Sequence, residues 1–342
     1  MEIQLRNDRN HTLNYLKTLA SFCVVMLHCG FPSVIGKLIY GPSRFAVPLF
    51  FMISGYFVYS ENKDKVIKRL PSKIKHIGRL LIGTEITYFL WHVIQCGIES
   101  GSLGIIEWLK ETFTVGKIVQ LFVFQTTPVG DVSWFLVALL ICYVVTYLIA
   151  KKDLWEITTK FIPVLLTINV VVGEILPFAG ISVQWYWNSN FWILGFPFYA
   201  MGYWIRINER HLCEKVTGKS TCVVVAVSLI VILVERIMTS ASQLFIGNIF
   251  CVLALFLFCL KYPRIFGANS IIETVGEKYS FYVYILHAII RDIFGVIFGM
   301  VGLGNNTMVL WIRPVVVFAV CIVLAYGICK ASNSMLETSV RK

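Results

Sequence analysis

The chain has 342 residues, 57% of them hydrophobic and only 14% charged, with a mean hydropathy of +0.75. That mixture excludes an ordinary soluble globular protein, and apolar runs of about 20 residues, the length an α-helix needs to cross roughly 30 Å of hydrocarbon, set aside a β-barrel of short alternating segments. The formal net charge of +11 would suggest nucleic acid on a soluble domain, but here the cations fall between apolar runs, where they orient a membrane protein.

Ten spans are predicted, at residues 12–30, 44–60, 79–98, 132–150, 161–179, 189–207, 220–237, 242–260, 279–299 and 309–330. The expected fold is therefore all-α: a polytopic transmembrane helical bundle forming a single domain over residues 1–342. The first run, TLNYLKTLASFCVVMLHCG, follows mostly polar residues and precedes no small-residue cleavage pattern, so a retained helix is expected rather than a signal peptide. The second, SRFAVPLFFMISGYFVYS, carries Arg44 at its outer start, then Pro48 and the Ser54–Gly55 pair, small residues that let helices approach closely. Between spans two and three lie Lys63, Lys65, Lys68, Arg69, Lys73, Lys75 and Arg79, read as a cytoplasmic loop. The longest gap, 99–131, contains IIEWLKETFTVGKIVQLFVF, whose mixed pattern suits the membrane interface or a re-entrant segment.

Most of the 30 Lys and Arg fall on one side of this arrangement, among them Arg6, Arg9, Lys151, Lys152, Lys160, Arg206, Arg210, Lys261, Lys330, Arg341 and Lys342. Positive loops stay inside, so both termini are expected to be cytoplasmic, in a plasma or inner membrane. The ten cysteines lie mostly within apolar runs, with no CxxC and no metal-ligand spacing. They read as small packing residues, and no metal site is expected. No internal repeat supports an inverted-repeat transporter.

An ionisable residue inside a span is costly and points to an interior or functional position. Lys17, His28, Glu85, His92, Glu174, Glu235, His287, Arg291 and Asp292 are such residues. Lys17 either snorkels to the inner surface or pairs with Glu85, which is expected at similar depth. His28 follows Lys17 by eleven positions, about 16 Å along a helix and about 20° around it, so one face links the inner surface to the outer half of the membrane. His28 is then either a headgroup-level histidine or a proton-exchanging group. His287, in SFYVYILHAIIRD, is expected near mid-membrane, with Arg291 one turn on along the same face.

These stretches together resemble the acyltransferase-3 family, polytopic membrane acyltransferases of bacterial surface glycans. The resemblance rests on Lys17 and His28 in LNYLKTLASFCVVMLH, on RFAVPLFFMISGYF at 44–57, on SWFLVALL at 133–140 and on GEKYSFYVYILH at 276–287. It departs at Asn14 and Lys17, where the family usually has Asp and Arg. It departs again at Val132, in place of a frequent histidine, and at Arg79 with His76, in place of an arginine pair. The resemblance implies transfer of an acyl group, usually acetyl from cytoplasmic acetyl-CoA, to a hydroxyl of a glycan at or beyond the outer face. His28 would be general base or acyl carrier, with His287 as the second catalytic histidine. Lys17, Arg44, Ser54 and Arg291 would contact substrate or the developing oxyanion, and Arg79 and Lys75 the phosphates of the donor. The implied partners are the acyl-CoA donor, the glycan acceptor and the bilayer, with no nucleic acid. The competing reading is a transporter or flippase of a lipid-linked saccharide, in which Lys17, Glu85, His287 and Asp292 would form a proton path.

Overall fold

The structure, a computed structural model, describes residues 9–130, 132–239 and 244–340. Arg6, Arg341 and Lys342, part of the charge pattern above, lie outside the described residues. Among the described residues every regular element is helical. The longer ones are α1 (His11–Cys29), α2 (Ser33–Ser43), α3 (Ala46–Val58), α4 (Lys63–Thr112), α5 (Val115–Phe124) and α6 (Trp134–Lys152). There follow α7 (Trp155–Phe178), α8 (Phe196–Lys215), α9 (Gly218–Met238), α10 (Ile246–Lys261), α11 (Ile271–Met300) and α12 (Thr307–Val340). Five candidate membrane spans are long and apolar enough by themselves: α6, α7, α9, α11 and the Thr307–Ala331 part of α12. Helix α1 has 19 residues, but Asn14, Lys17 and His28 dilute its apolarity, while α10 is apolar but shorter. Exposed aliphatic ladders such as Val223, Val227, Ile230, Val234 and Ile237 on α9 are what a lipid-facing helix presents.

The chain divides into two compact units, the first comprising Met1–Ala46, Glu209–Ile230 and Gly247–Lys342, the second Val47–Asn208 and Val231–Ile246. In the first, α1 packs against α11 and α12. Val25, Cys29, Val283, Phe294, Val309, Val317 and Cys321 form the buried cluster they share. A π-helical turn, Val275–Tyr279, brings the start of α11 hard against α1. A Cβ on Gly276 would overlap the Asn14 carbonyl and the Thr18 hydroxyl, and that hydroxyl donates to the Ile272 carbonyl at 2.6 Å. Gly276→Ala is accordingly expected to cost about 1–3 kcal/mol through overpacking, read as a lower thermal midpoint in detergent.

In the second unit α3 and α8 cross through reciprocal glycines. A Cβ on Gly55 would strike the Tyr199 carbonyl, and one on Gly202 the Met52 carbonyl. The close approach expected of the Ser54–Gly55 pair is thus present, and its partner helix is α8. The ring of Phe51 packs on Phe135 at 4.6 Å between centroids and on Trp134 at 6.3 Å, so the RFAVPLFF and SWFLVALL stretches form one aromatic core. Of the ten cysteines, Cys23, Cys29, Cys142, Cys251, Cys259 and Cys321 are buried as free thiols, in keeping with a packing role.

Three expectations of local structure change. The segment Lys63 to Arg79 is not a loop but the first five turns of α4. The Asn62 side chain caps it by accepting from the backbone amides of Asp64 and Lys65 at 2.9 and 3.3 Å, and Val66, Leu70 and Ile77 are buried at helical spacing. Span two is a 13-residue helix, α3, preceded by the unexpected α2. In the 99–131 gap, helical geometry breaks at Gly101, whose φ of +66° suits glycine, and resumes to Thr112 before α5.

Candidate functional site

The first unit gathers the histidines. Asn10 caps α1, accepting from the Leu13 amide at 2.8 Å while its own amide donates to the Cys259 carbonyl at 2.8 Å. Gly30, at φ +65°, ends the helix, leaving His28 in its last turn. The His28 ring stands 4.8 Å, centroid to centroid, from that of His287 on α11. Their environments differ: His28 is exposed, whereas His287 is fully buried. His287 Nδ1 lies 2.6 Å from the Tyr284 carbonyl oxygen. A carbonyl only accepts, so Nδ1 carries the hydrogen and, in the neutral ring, Nε2 keeps its lone pair. That Nε2 is buried and has no hydrogen-bond partner. A buried acceptor left open costs about 1–3 kcal/mol, a cost expected where a ligand or reacting proton completes the site.

Cations surround this pair. Arg291 and Arg44 both lie within electrostatic range of His28. Arg291 donates to Asp292 at 2.7 Å, and the Arg44 guanidinium stands 4.2 Å from the Tyr40 ring centroid. Arg313 of α12 donates to the Cys29 carbonyl and so ties down the end of α1. The sequence signal of this third arginine is a cation four residues into the last apolar run. Removing a charged donor from a helix-terminal carbonyl costs about 1.5–3 kcal/mol. Arg313→Met is therefore expected to lower the melting midpoint, with Arg313→Lys recovering part of it.

Lys17 sits on the same helix about three turns before His28. Its Nζ donates to the Asn14 side-chain oxygen at 3.3 Å, and Glu277 acts on it electrostatically. Glu85 belongs to the second unit, where it stands beside Ser133 and Thr127 with its Oε1 buried and without a hydrogen-bond partner. A buried carboxylate that the sequence reading missed, Glu273 at 2% exposure, accepts from the Asn14 amide at 3.4 Å and from the Asn269 backbone amide at 2.6 Å. It also lies 2.5 Å from His11 Nδ1. Its only sequence signal was an acidic residue just ahead of the GEKYS run.

Ser54, Lys75 and Arg79 belong to the second unit. The Ser54 hydroxyl donates to its own helix at the Phe50 carbonyl, 2.8 Å away, and lies in hydrogen-bonding range of Tyr143. Lys75 and Arg79 are exposed on α4, while the half-buried Lys73 lies 5.7 Å from the Tyr143 ring centroid. His92 stacks on Trp108 at 5.4 Å, and Glu174 accepts the Ile246 amide at 3.0 Å, both structural contacts.

Compared with curated proteins and with solved structures, the chain matches none. The family model described as an acyltransferase domain matches residues 10–329, nearly the whole chain and every residue of the histidine site. With that match the chain belongs to the acyltransferase-3 family of membrane acyltransferases.

Proposed function

We propose that the protein transfers an acyl group, acetyl in the first instance, from cytoplasmic acyl-CoA to a hydroxyl of an extracytoplasmic glycan, as an O-acetyltransferase of the plasma or inner membrane. The observation that carries the reading is the His28–His287 pair: 4.8 Å between ring centroids, one exposed and one buried with an open Nε2. In the step envisaged, His28 takes the proton of the acceptor hydroxyl as its oxygen attacks the acyl carbon. The C–S bond breaks, and the thiolate leaves and takes the proton from His28. His287 holds or shares that proton through Nε2. Arg44 and Arg291 meet the charge that develops on the carbonyl oxygen. Lys17 would contact the donor's arm.

The donor's phosphates need cations on the inner side. Lys75 and Arg79 are open to any phosphate that approaches them, a soluble donor's or a lipid's. This scheme uses ten crossings with both termini inside, the five self-sufficient spans being completed by α1, α3, α4, α8 and α10. The reading is tested with the protein reconstituted in liposomes: acyl-CoA supplied on the side of the basic loops should be consumed, and an ester should accumulate on a glycan acceptor on the other side. Glycan uptake driven by a pH gradient without acyl-CoA consumption would overturn it in favour of transport. An acyl adduct trapped on His28 would assign it the carrier role.

A further inference from the structure

Helix α4 presents one outer face that changes chemistry abruptly along its length. Lys65, Lys68, Ser72, Lys75 and Arg79 follow one another at three- and four-residue steps, with His76 four residues after Ser72, and all are exposed, while Val66, Leu70 and Ile77 are buried on the opposite side. Continued in register, the same outer face becomes Ile82, Ile86, Leu90, Ile94 and Ile98, with exposures of 62%, 55%, 54%, 54% and 57%. Between Asp64 and Glu85 the sequence contains no acidic residue to neutralise the cations. An aliphatic ladder left open on a helix faces hydrocarbon rather than water, since each such side chain gains roughly 1.5–3 kcal/mol on leaving water. At 1.5 Å per residue the ladder from Ile82 to Ile98 covers about 24 Å, most of the roughly 30 Å hydrocarbon layer. Arg79 and Lys75 then lie about 4.5 and 10 Å beyond its end, at the depth of lipid headgroups, and Lys68 and Lys65 extend the row outward.

We infer that this face of α4 binds the headgroup phosphates of anionic phospholipids in the leaflet that its basic end meets. Lipid rather than soluble donor is favoured because the cations continue, without a change of face, the surface that is itself turned to lipid chains. Each Lys or Arg near an anionic membrane surface contributes about 1 kcal/mol, so a row of them selects anionic over zwitterionic lipid. A row that served only to set topology would show no such selection.

The test uses the full-length protein in nanodiscs of mixed phosphatidylglycerol and phosphatidylcholine, followed by quantification of the lipid that stays bound after extraction into mild detergent. Wild-type protein is expected to retain phosphatidylglycerol preferentially. The variant with Lys68→Gln, Lys75→Gln and Arg79→Gln together is expected to lose that preference by about tenfold or more. A matched variant with Lys151→Gln, Lys152→Gln and Arg210→Gln, exposed cations elsewhere in the chain, should keep it. Melting in pure phosphatidylcholine discs reports whether the triple variant folds, and if it does not, Arg79→Gln and Lys75→Gln alone should each lower retention. An unchanged preference in the folded variants would overturn the assignment. So would displacement of the lipid from wild-type protein by soluble CoA, which would return the face to the donor.

Discussion

His28→Ala is expected to abolish acyl transfer while the protein stays folded and inserted. His28 is exposed at the end of α1 whereas His287 is fully buried, so truncation there leaves the smaller void. A proton-transfer residue typically contributes about 10²–10⁴-fold to rate, which is the loss expected in ester formed per unit time. His287→Ala should lose activity by a comparable factor. It should also destabilise the protein, because the ring is fully buried and its Nδ1 hydrogen bond to Tyr284 disappears. His287→Gln, which keeps volume and a donor, separates the two effects: folding recovers, activity does not. In the proposed shared-proton arrangement the two rings act as one device, so the double alanine variant should be no less active than the worse single variant by more than a small factor. Multiplicative losses would mean that the histidines act independently and would refute the shared-proton arrangement. The measurement is mass-spectrometric detection of the acyl increment on the acceptor, with melting curves as the folding control.

The largest effect on folding is expected from Gly55→Val and Gly202→Val. Each glycine faces a backbone carbonyl of the opposing helix, at Tyr199 and Met52 respectively, so relief requires moving whole helices rather than turning a side chain. Overpacking ordinarily costs about 1–3 kcal/mol, and a backbone obstacle puts these substitutions at or above the upper end. Against a typical total stability of about 5–15 kcal/mol, either change should leave little folded protein in detergent. Gly83→Ala, on the exposed face of α4 where a Cβ would meet nothing within 4 Å, is the matched control and should be neutral or slightly stabilising. Equal behaviour of Gly55→Val and Gly83→Ala would show that the α3–α8 crossing is looser than its backbone geometry implies.

Several parts of the site were legible in the sequence for definite reasons. A histidine or lysine within an apolar run is conspicuous because hydrocarbon penalises it, so His28, His287, Lys17 and Arg291 stood out. Helical period then placed Lys17 and His28 on one face of α1. Arg313 and Glu273 did not stand out. One is a cation near the start of the last span and the other lies outside every predicted span, and their importance comes from contacts made with α1 from far along the chain, at Cys29 and Asn14. The basic run before the third span was correctly found but given the wrong local form. Loop composition and an amphipathic helix with a charged outer face look alike until the burial of Val66, Leu70 and Ile77 is known.

Composition and periodicity alone determined that this chain is a helical membrane protein and which ionisable residues needed explaining, because the cost of polarity in lipid is paid residue by residue and is visible locally. The four matching stretches also carried the family. Only the tertiary structure decided that His28 is open and His287 closed behind it, that Nε2 of His287 is the unoccupied atom, and that Gly55 and Gly202 set the α3–α8 distance. Those properties belong to pairs of residues brought together from distant parts of the chain, and no local free energy encodes which distant surface a side chain will meet.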